Sequence, residues 1–293
     1  MSTLDQQDGA VDVHGVQPWS VLRQDSRIWQ RRKAEWRALG LRDRGGRPDA
    51  TVWQSGPGSR MHGRISGQGG SVFDAVLAEA CLTWYSPPGG LVLDPMAGGP
   101  TRGIVAAALG SRYVGMDLLG EQVAANLEMR DGWPEPLPGS ASWVTGDART
   151  ALPDVRADYV FSCPPYWRLE RYSDDPRDLS AMTLDAYLSA HADIIRAASD
   201  RLADDRFATW VVGDLRGGDG HLCRLPWHTV EAFHAAGLRL VNDQILVTPV
   251  GSRMWNLARA WRGTRSATRL HQYVLTFVKG DRRRAVARIR EGL

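Results

Sequence analysis

The sequence predicts an α/β fold: a doubly wound, mostly parallel sheet of seven strands with an antiparallel edge strand. Three observations predict it. From Ser71 onward, short apolar runs alternate with stretches of helical periodicity, the signature of strand–helix–strand crossovers. Two of those runs, Leu91-Val92-Leu93-Asp94 and Tyr159-Val160-Phe161-Ser162, empty into tight loops rich in glycine or proline. The last two runs have no helical pattern between them, which predicts an antiparallel pair at one edge.

The elements follow in order. Pro18 to Gly40 predicts a turn and a helix, with Leu22, Ile28, Trp29, Trp36 and Leu39 near helical spacing. Ser71 to Trp84 predicts a helix with Val72, Phe73, Val76, Leu77 and Leu82 on one side. Leu91 to Asp94 predicts a strand, and Pro100 to Leu109 a helix whose proline suits the first turn. A strand at Tyr113 to Asp117, a helix at Leu119 to Arg130 and strands at Ser142 to Thr145 and Asp158 to Ser162 come next. Thr183 to Leu202 predicts a long helix, Phe207 to Gly213 a strand and Trp227 to Ala236 a helix. Leu238 to Thr248 and Gln272 to Lys279 predict the closing strands.

The domain layout expected is a disordered acidic tail over 1–16, a basic helix and irregular connection over 17–70, the α/β domain over 71–280 and a basic tail over 281–293. Charge supports these boundaries. Residues 1–16 carry −3, 17–50 carry +5, 249–271 carry +5 and 279–293 carry +4, so a net of +3 leaves an acidic remainder. An acidic body with basic attachments suits contact with a polyanion, although arginine-rich surfaces also serve solubility. The 43% hydrophobic and 24% charged content is that of a globular protein, and no apolar run reaches the roughly 20 residues of a membrane span. Cys81, Cys163 and Cys223 are few, odd in number and far apart, which argues against a disulfide framework or a zinc site and for a reducing cytoplasm.

The loop Pro95-Met96-Ala97-Gly98-Gly99 stands where open α/β sheets bind ligands, beyond a strand's carboxyl end, and opens into a helix amino terminus. Acids close the next two strands. Asp117, 23 residues after Asp94, can accept two hydrogen bonds from a ribose diol, and Asp147, with Ala148, follows the third strand where an adenine amino group would lie. A dinucleotide is the weaker alternative, because the G-x-G-x-x-G spacing is absent. In the second loop, Pro164-Pro165 makes a rigid segment with carbonyls but no N–H groups, and Tyr166 can stack on a flat ring.

These motifs resemble the amino-methyltransferase branch of the S-adenosylmethionine-dependent DNA methyltransferases, which have a class I, Rossmann-like fold. The Pro18-Trp19-Ser20-Val21-Leu22 and Trp29-Gln30-Arg31-Arg32-Lys33 tracts and the run from Ser162 to Leu179 are similar to solitary methylases of phages and actinobacterial mobile elements. The resemblance covers residues 17 to 285 and implies S-adenosylmethionine as cofactor. It implies that Asp94, Pro95, Met96, Ala97, Gly98 and Gly99 line the methionine end, with Phe73 and Asp74 in an additional cofactor motif. It also implies that Asp117 and Leu118 hold the ribose and Asp147 and Ala148 the adenine.

The catalytic set implied is Ser162, Cys163, Pro164, Pro165 and Tyr166, the Pro164 carbonyl and the preceding side chain holding the target amine. The family usually has Asp, Asn or Ser where Cys163 stands. That departure leaves cytosine N4 and adenine N6 both open and tilts toward cytosine. Ser162 cannot easily substitute, since neighbouring strand residues point to opposite faces.

Arg253, Trp255, Arg259, Arg262 and Arg265, with Trp261 and Arg269, form a basic, acid-free insertion suited to phosphates and unstacked bases. The helix around Trp29 to Trp36 is a second candidate contact. The polar run from Trp167 to Met182 is expected to cover the site, with Asp214 nearby in a secondary role. The resulting expectation is a site-specific methyltransferase acting on an everted base of double-stranded DNA in a bacterial cytoplasm, without metal or membrane. Whether it belongs to a restriction–modification pair is not indicated. RNA or a protein glutamine as acceptor, or a degenerate DNA-binding scaffold, are the alternatives.

Overall fold

A computed structural model of the chain describes residues 12–41, 72–169, 172–249 and 254–290. The expected tail before Asp12 and connection after Leu41 lie outside those residues, as do Glu170, Arg171 and Arg253. The strands are β1 (Val21–Arg23), β2 (Leu91–Asp94), β3 (Arg112–Asp117), β4 (Ser140–Thr145), β5 (Ala157–Ser162), β6 (Leu202–Val212), β7 (Leu238–Val247) and β8 (His271–Lys279). They form one sheet in the order β1-β7-β8-β6-β5-β2-β3-β4. All pairs are parallel except those of β8, which runs antiparallel to both β6 and β7.

The seven expected strands are present, and β1 is an eighth, added parallel to the edge of β7. Its three residues are too short for any period to register, and the sequence pattern had read them into the turn and helix of 18–40, with Leu22 counted at helical spacing. The helices are α1 (Arg27–Ala38), α2 (Ala75–Tyr85), α3 (Thr101–Ala108), α4 (Gly120–Asp131), α5 (Leu184–Arg201), α6 (Leu225–Ala235), α7 (Met254–Thr264) and α8 (Arg282–Arg290). Two depart from expectation. α7 lies between β7 and β8, where no helix was predicted. α8 stands where a basic tail was predicted, and it buries Ala285 and Ile289.

The sheet is buried on both faces, so its central strands split their side chains between two cores. Tyr159 and Phe161 join Trp29, Trp36, Val76 and Ile104 on one face. Val160 joins Tyr187, Ile195, Trp210, Phe233 and Phe277 on the other. Side-chain caps begin the helices: Ser26 accepts from Trp29 N, Asp74 from Val76 N and Leu77 N, and Thr183 from Ala186 N.

The amino-terminal segment is bound into the first core. Trp29 Nε1 donates to Asp74 Oδ1 at 3.0 Å and Trp36 Nε1 to Glu79 Oε2 at 2.9 Å, while Arg32 neutralises the buried Glu79. Residues 12–16, expected to be disordered, form a short turn closed by the Val13–Val16 bridge, with both valines buried. α1 is thus an integral layer of the domain.

Packing is close where α3 crosses β3 and β4. A Cβ on Gly103 would lie 2.3 Å from the Trp143 ring and 2.9 Å from Tyr113. Gly103→Ala should therefore overpack this contact, costing about 1–3 kcal/mol and lowering Tm by several degrees in thermal unfolding. An unchanged Tm would contradict the packing described.

Candidate active site

The loop after β2 is shaped by its own sequence and by β3. Gly98 adopts φ +53, a left-handed conformation natural to glycine. Its N–H donates to Asp117 Oδ2 at 2.9 Å, and its carbonyl accepts from Asn126 Nδ2 at 2.7 Å. Ala97 N donates to the Met116 carbonyl at 2.8 Å, so the loop is fastened to the end of β3. Asp117 uses its other oxygen to accept from Leu119 N.

Beneath the loop, Asp94 is wholly buried and densely bonded. Its Oδ2 accepts from Arg102 Nε at 2.6 Å and from the Tyr113 hydroxyl at 2.7 Å, and its Oδ1 accepts from Ser162 Oγ at 2.6 Å. Burial opposes the charge on Arg102, but the adjacent Asp94 carboxylate overrides it and holds the guanidinium firmly protonated. Asp94 was expected to line the methionine end, and Ser162 to belong to the catalytic set although its strand position pointed it away from Cys163. Both are fully buried and neither lines the cavity, because they point at each other beneath the two loops.

The loop after β5 is held from behind. The Tyr187 hydroxyl donates to the Pro165 carbonyl at 2.8 Å, and the Tyr166 hydroxyl donates to Gln272 Oε1 at 3.0 Å. The Tyr166 ring packs over Gly213. Burial, with the nearby Cys163 thiol, keeps the Tyr166 hydroxyl well above the usual phenol range, so it remains protonated. Cys163 Sγ lies 3.4 Å from that hydroxyl. Proline supplies no N–H, and among the described residues no donor reaches the Pro164 carbonyl.

Both loops line one cavity of about 600 Å³. Every residue predicted for the cofactor lines it except Asp94, and every predicted catalytic residue except Ser162. Asp147 reaches the wall, but Arg149 grips both its oxygens (Nη2–Oδ2 2.6 Å, Nε–Oδ1 2.9 Å) and holds its carboxyl below the usual range. From the run expected to cover the site, Tyr172, Arg177, Asp178 and Leu179 line the cavity. Asp214 does not: its side chain is buried against Arg269, Leu215 N and Leu225 N.

Gln24, Lys33, Arg102 and Gln272 also line the cavity and went unpredicted. Arg102 reads in sequence as a solvent-side residue of a helix, and the other three come from elements remote from either motif. On α7, Arg259 and Arg262 are exposed, as is Arg265 just beyond it, and Trp261 and Leu257 are each 50% exposed one turn apart. Trp255 falls within α7. No described helix is long and apolar enough to cross a membrane, and no group of three or more His, Cys, Asp or Glu among the described residues could hold a metal.

No family model and no curated protein matches the sequence. Solved structures resemble it in fold. A candidate RNA methyltransferase from Pyrococcus horikoshii is 14% identical, with 86% of this chain and 100% of that chain covered at a TM-score of 0.50. The fold is that of the class I methyltransferases. TrmN from Thermus thermophilus is 18% identical over 71% of this chain at a TM-score of 0.47, and the chain spans about half of TrmN's length (49%). A magnesium protoporphyrin IX methyltransferase from Synechocystis, with S-adenosylmethionine bound, is 12% identical over 76% of this chain and 92% of that one at a TM-score of 0.44.

The hub role of Asp94 is testable without ligand. Asp94→Ala leaves the Arg102 guanidinium buried and unpaired, which typically costs about 3–5 kcal/mol. Tm should drop strongly, whereas Asp117→Ala, at the cavity wall, should lower it far less. Equal effects on Tm would contradict the division between a buried hub and a cavity-lining acid.

Proposed function

We propose that the chain transfers the methyl group of S-adenosylmethionine to an exocyclic amine, N4 of cytosine or N6 of adenine, on a base everted from DNA. The observation that carries this reading is that Pro164, whose carbonyl accepts from no donor among the described residues, lines the cavity that also holds the 95–99 loop. A rigid acceptor beside a nucleoside-sized cavity suits a reaction whose nucleophile must first give up hydrogen-bonding protons.

The residues present fit the cofactor. Asp117 stands on the cavity wall at the end of β3, where a carboxylate can accept from a ribose diol. Leu118 and Ala148 offer apolar walls for a purine, with Asp147 at its edge. Met96 to Gly99 and Phe73 bound the remaining length. When bound, S-adenosylmethionine supplies an electrophilic methyl group on a sulfonium.

The chain's own groups position the acceptor. The Pro164 carbonyl accepts a hydrogen bond from the amine, drawing its lone pair out of conjugation. Tyr187 fixes the loop through the Pro165 carbonyl, so Pro164 holds its place at low entropic cost. Gln272 tethers the Tyr166 hydroxyl, which sets the ring as one face of a slot for a flat base. Cys163 stands where the resembling enzymes carry a stronger acceptor, so more of the amine's orientation falls to Pro164. No strong base is needed, because the alkylated nitrogen sheds its proton readily.

DNA as the acceptor is favoured by α7. Its exposed arginines suit phosphates, and Trp261 with Leu257 suits the gap left by a rotated base. The insertion is short, which suits a short recognition sequence. Incubating the purified chain with methyl-labelled cofactor and separate DNA, RNA and protein pools tests the reading. Label should enter DNA, at cytosine N4 or adenine N6 on nucleoside analysis, and Asp117→Ala should lose it. Label in RNA or glutamine instead, or none in any pool, would overturn the reading.

A further inference from the structure

Lys33 lies on α1, more than fifty residues upstream of β2, yet its side chain reaches the cavity wall beside Phe73 and Asp74. It is one of only two lysines, Lys33 and Lys279, in a chain whose other basic side chains are arginines and histidines. Its Nζ lies 3.1 Å from Asp74 Oδ2, which engages one of the three donors of an ammonium. On the same wall the Arg102 guanidinium stacks 4.4 Å from the Phe73 ring centre. Arg102 is only 3% exposed, and its Nε and Nη2 are committed to Asp94 and to the Met96 and Ala97 carbonyls. Its Nη1 donates to no described group.

Formal charge on this wall balances, two cations against Asp94 and Asp74, but the exposed groups do not. Asp94 directs its oxygens at Arg102, Tyr113 and Ser162, and Asp74 directs its own at Trp29, Lys33 and the N–H groups of Val76 and Leu77. The donors left over belong to Lys33 and Arg102. A wall that offers charged donors and little to accept them fits a carboxylate.

We propose that Lys33 and Arg102 Nη1 together hold the α-carboxylate at the amino-acid end of the cofactor. This rests on the S-adenosylmethionine reading above and makes α1 part of the cofactor site. A ligand carrying that carboxylate bridges α1 to α3. It therefore adds to the docking of α1, which otherwise relies on the bonds of Trp29, Arg32, Lys33 and Trp36 to Asp74 and Glu79. A ligand without it does not.

Calorimetry on the full chain with two probes tests this: S-adenosylhomocysteine, and 5′-methylthioadenosine, which keeps the nucleoside thioether and lacks the amino-acid end. Lys33→Met should weaken S-adenosylhomocysteine about tenfold, the scale of one charge-assisted hydrogen bond, and change 5′-methylthioadenosine by less than about twofold. Lys33→Arg should restore most of the loss. Hydrogen exchange over residues 27–38 should slow with S-adenosylhomocysteine and not with 5′-methylthioadenosine. Equal weakening of both probes would mark Lys33 as merely structural, and unchanged S-adenosylhomocysteine affinity would dismiss it; either overturns the proposal. Wild-type protein binding both probes equally overturns the proposal and leaves the cofactor reading standing. Wild-type protein binding neither overturns both.

Discussion

A single buried carboxylate sets the geometry of the site. Backbone pairing between β2 and β5 covers only Val92 with Tyr159 and Leu93 with Val160, and it stops before either loop begins. Beyond that point the two chains are joined by Asp94, which binds Ser162 of β5, Tyr113 of β3 and Arg102 of α3 at 2.6–2.7 Å. A buried ion pair is worth keeping only when its remaining lone pairs and protons are satisfied, because desolvation otherwise exceeds the Coulombic gain. Here three side chains and the Met96 N–H share the carboxylate, and the backbone carbonyls of Met96 and Ala97 take two further guanidinium bonds. The 95–99 loop and the 163–166 loop are thereby fixed as one rigid piece with a cavity between them.

The chemistry proposed follows from what that rigidity leaves free. The Pro165 carbonyl and the Tyr166 hydroxyl are engaged, whereas the Pro164 carbonyl has no donor among the described residues. A preorganised acceptor costs no reorganisation when a substrate arrives. The Cys163 thiol beside Tyr166 is a weak acceptor and contributes little to holding an amine. Selectivity among amines then depends on the shape of the slot that Tyr166 and Gln272 bound, more than on the residue preceding the prolines.

Much of this was legible in the residues. The alternation Tyr159-Val160-Phe161-Ser162 records a strand buried on both faces, and the acids at 117 and 147 stand at strand ends on the cavity wall. What failed was direction. Asp94 read as a ligand-facing group because a polar residue closing a strand looks the same whether it faces ligand or its own neighbours, whereas Ser162 points away from the loop as its strand position implied. Only the fold brings residues 68 apart within 2.6 Å. Arg102 hid in an ordinary helical pattern, and Lys33 and Gln272 lie on elements whose tertiary position no local period encodes. β1 was missed for its brevity. α7 was missed because its arginines resemble those of a solvated loop, although the run from Met254 to Gly263 holds good helix formers and no proline.

A crystal structure of the chain with S-adenosylhomocysteine bound is the most direct test of the central claim. The account predicts the thioether sulfur between the 95–99 loop and Pro164, the ribose at Asp117, and an Asp94 network unchanged from the ligand-free state. A ligand seated outside this cavity, or the two loops drawn apart with the bond between Asp94 and Ser162 broken, would contradict it.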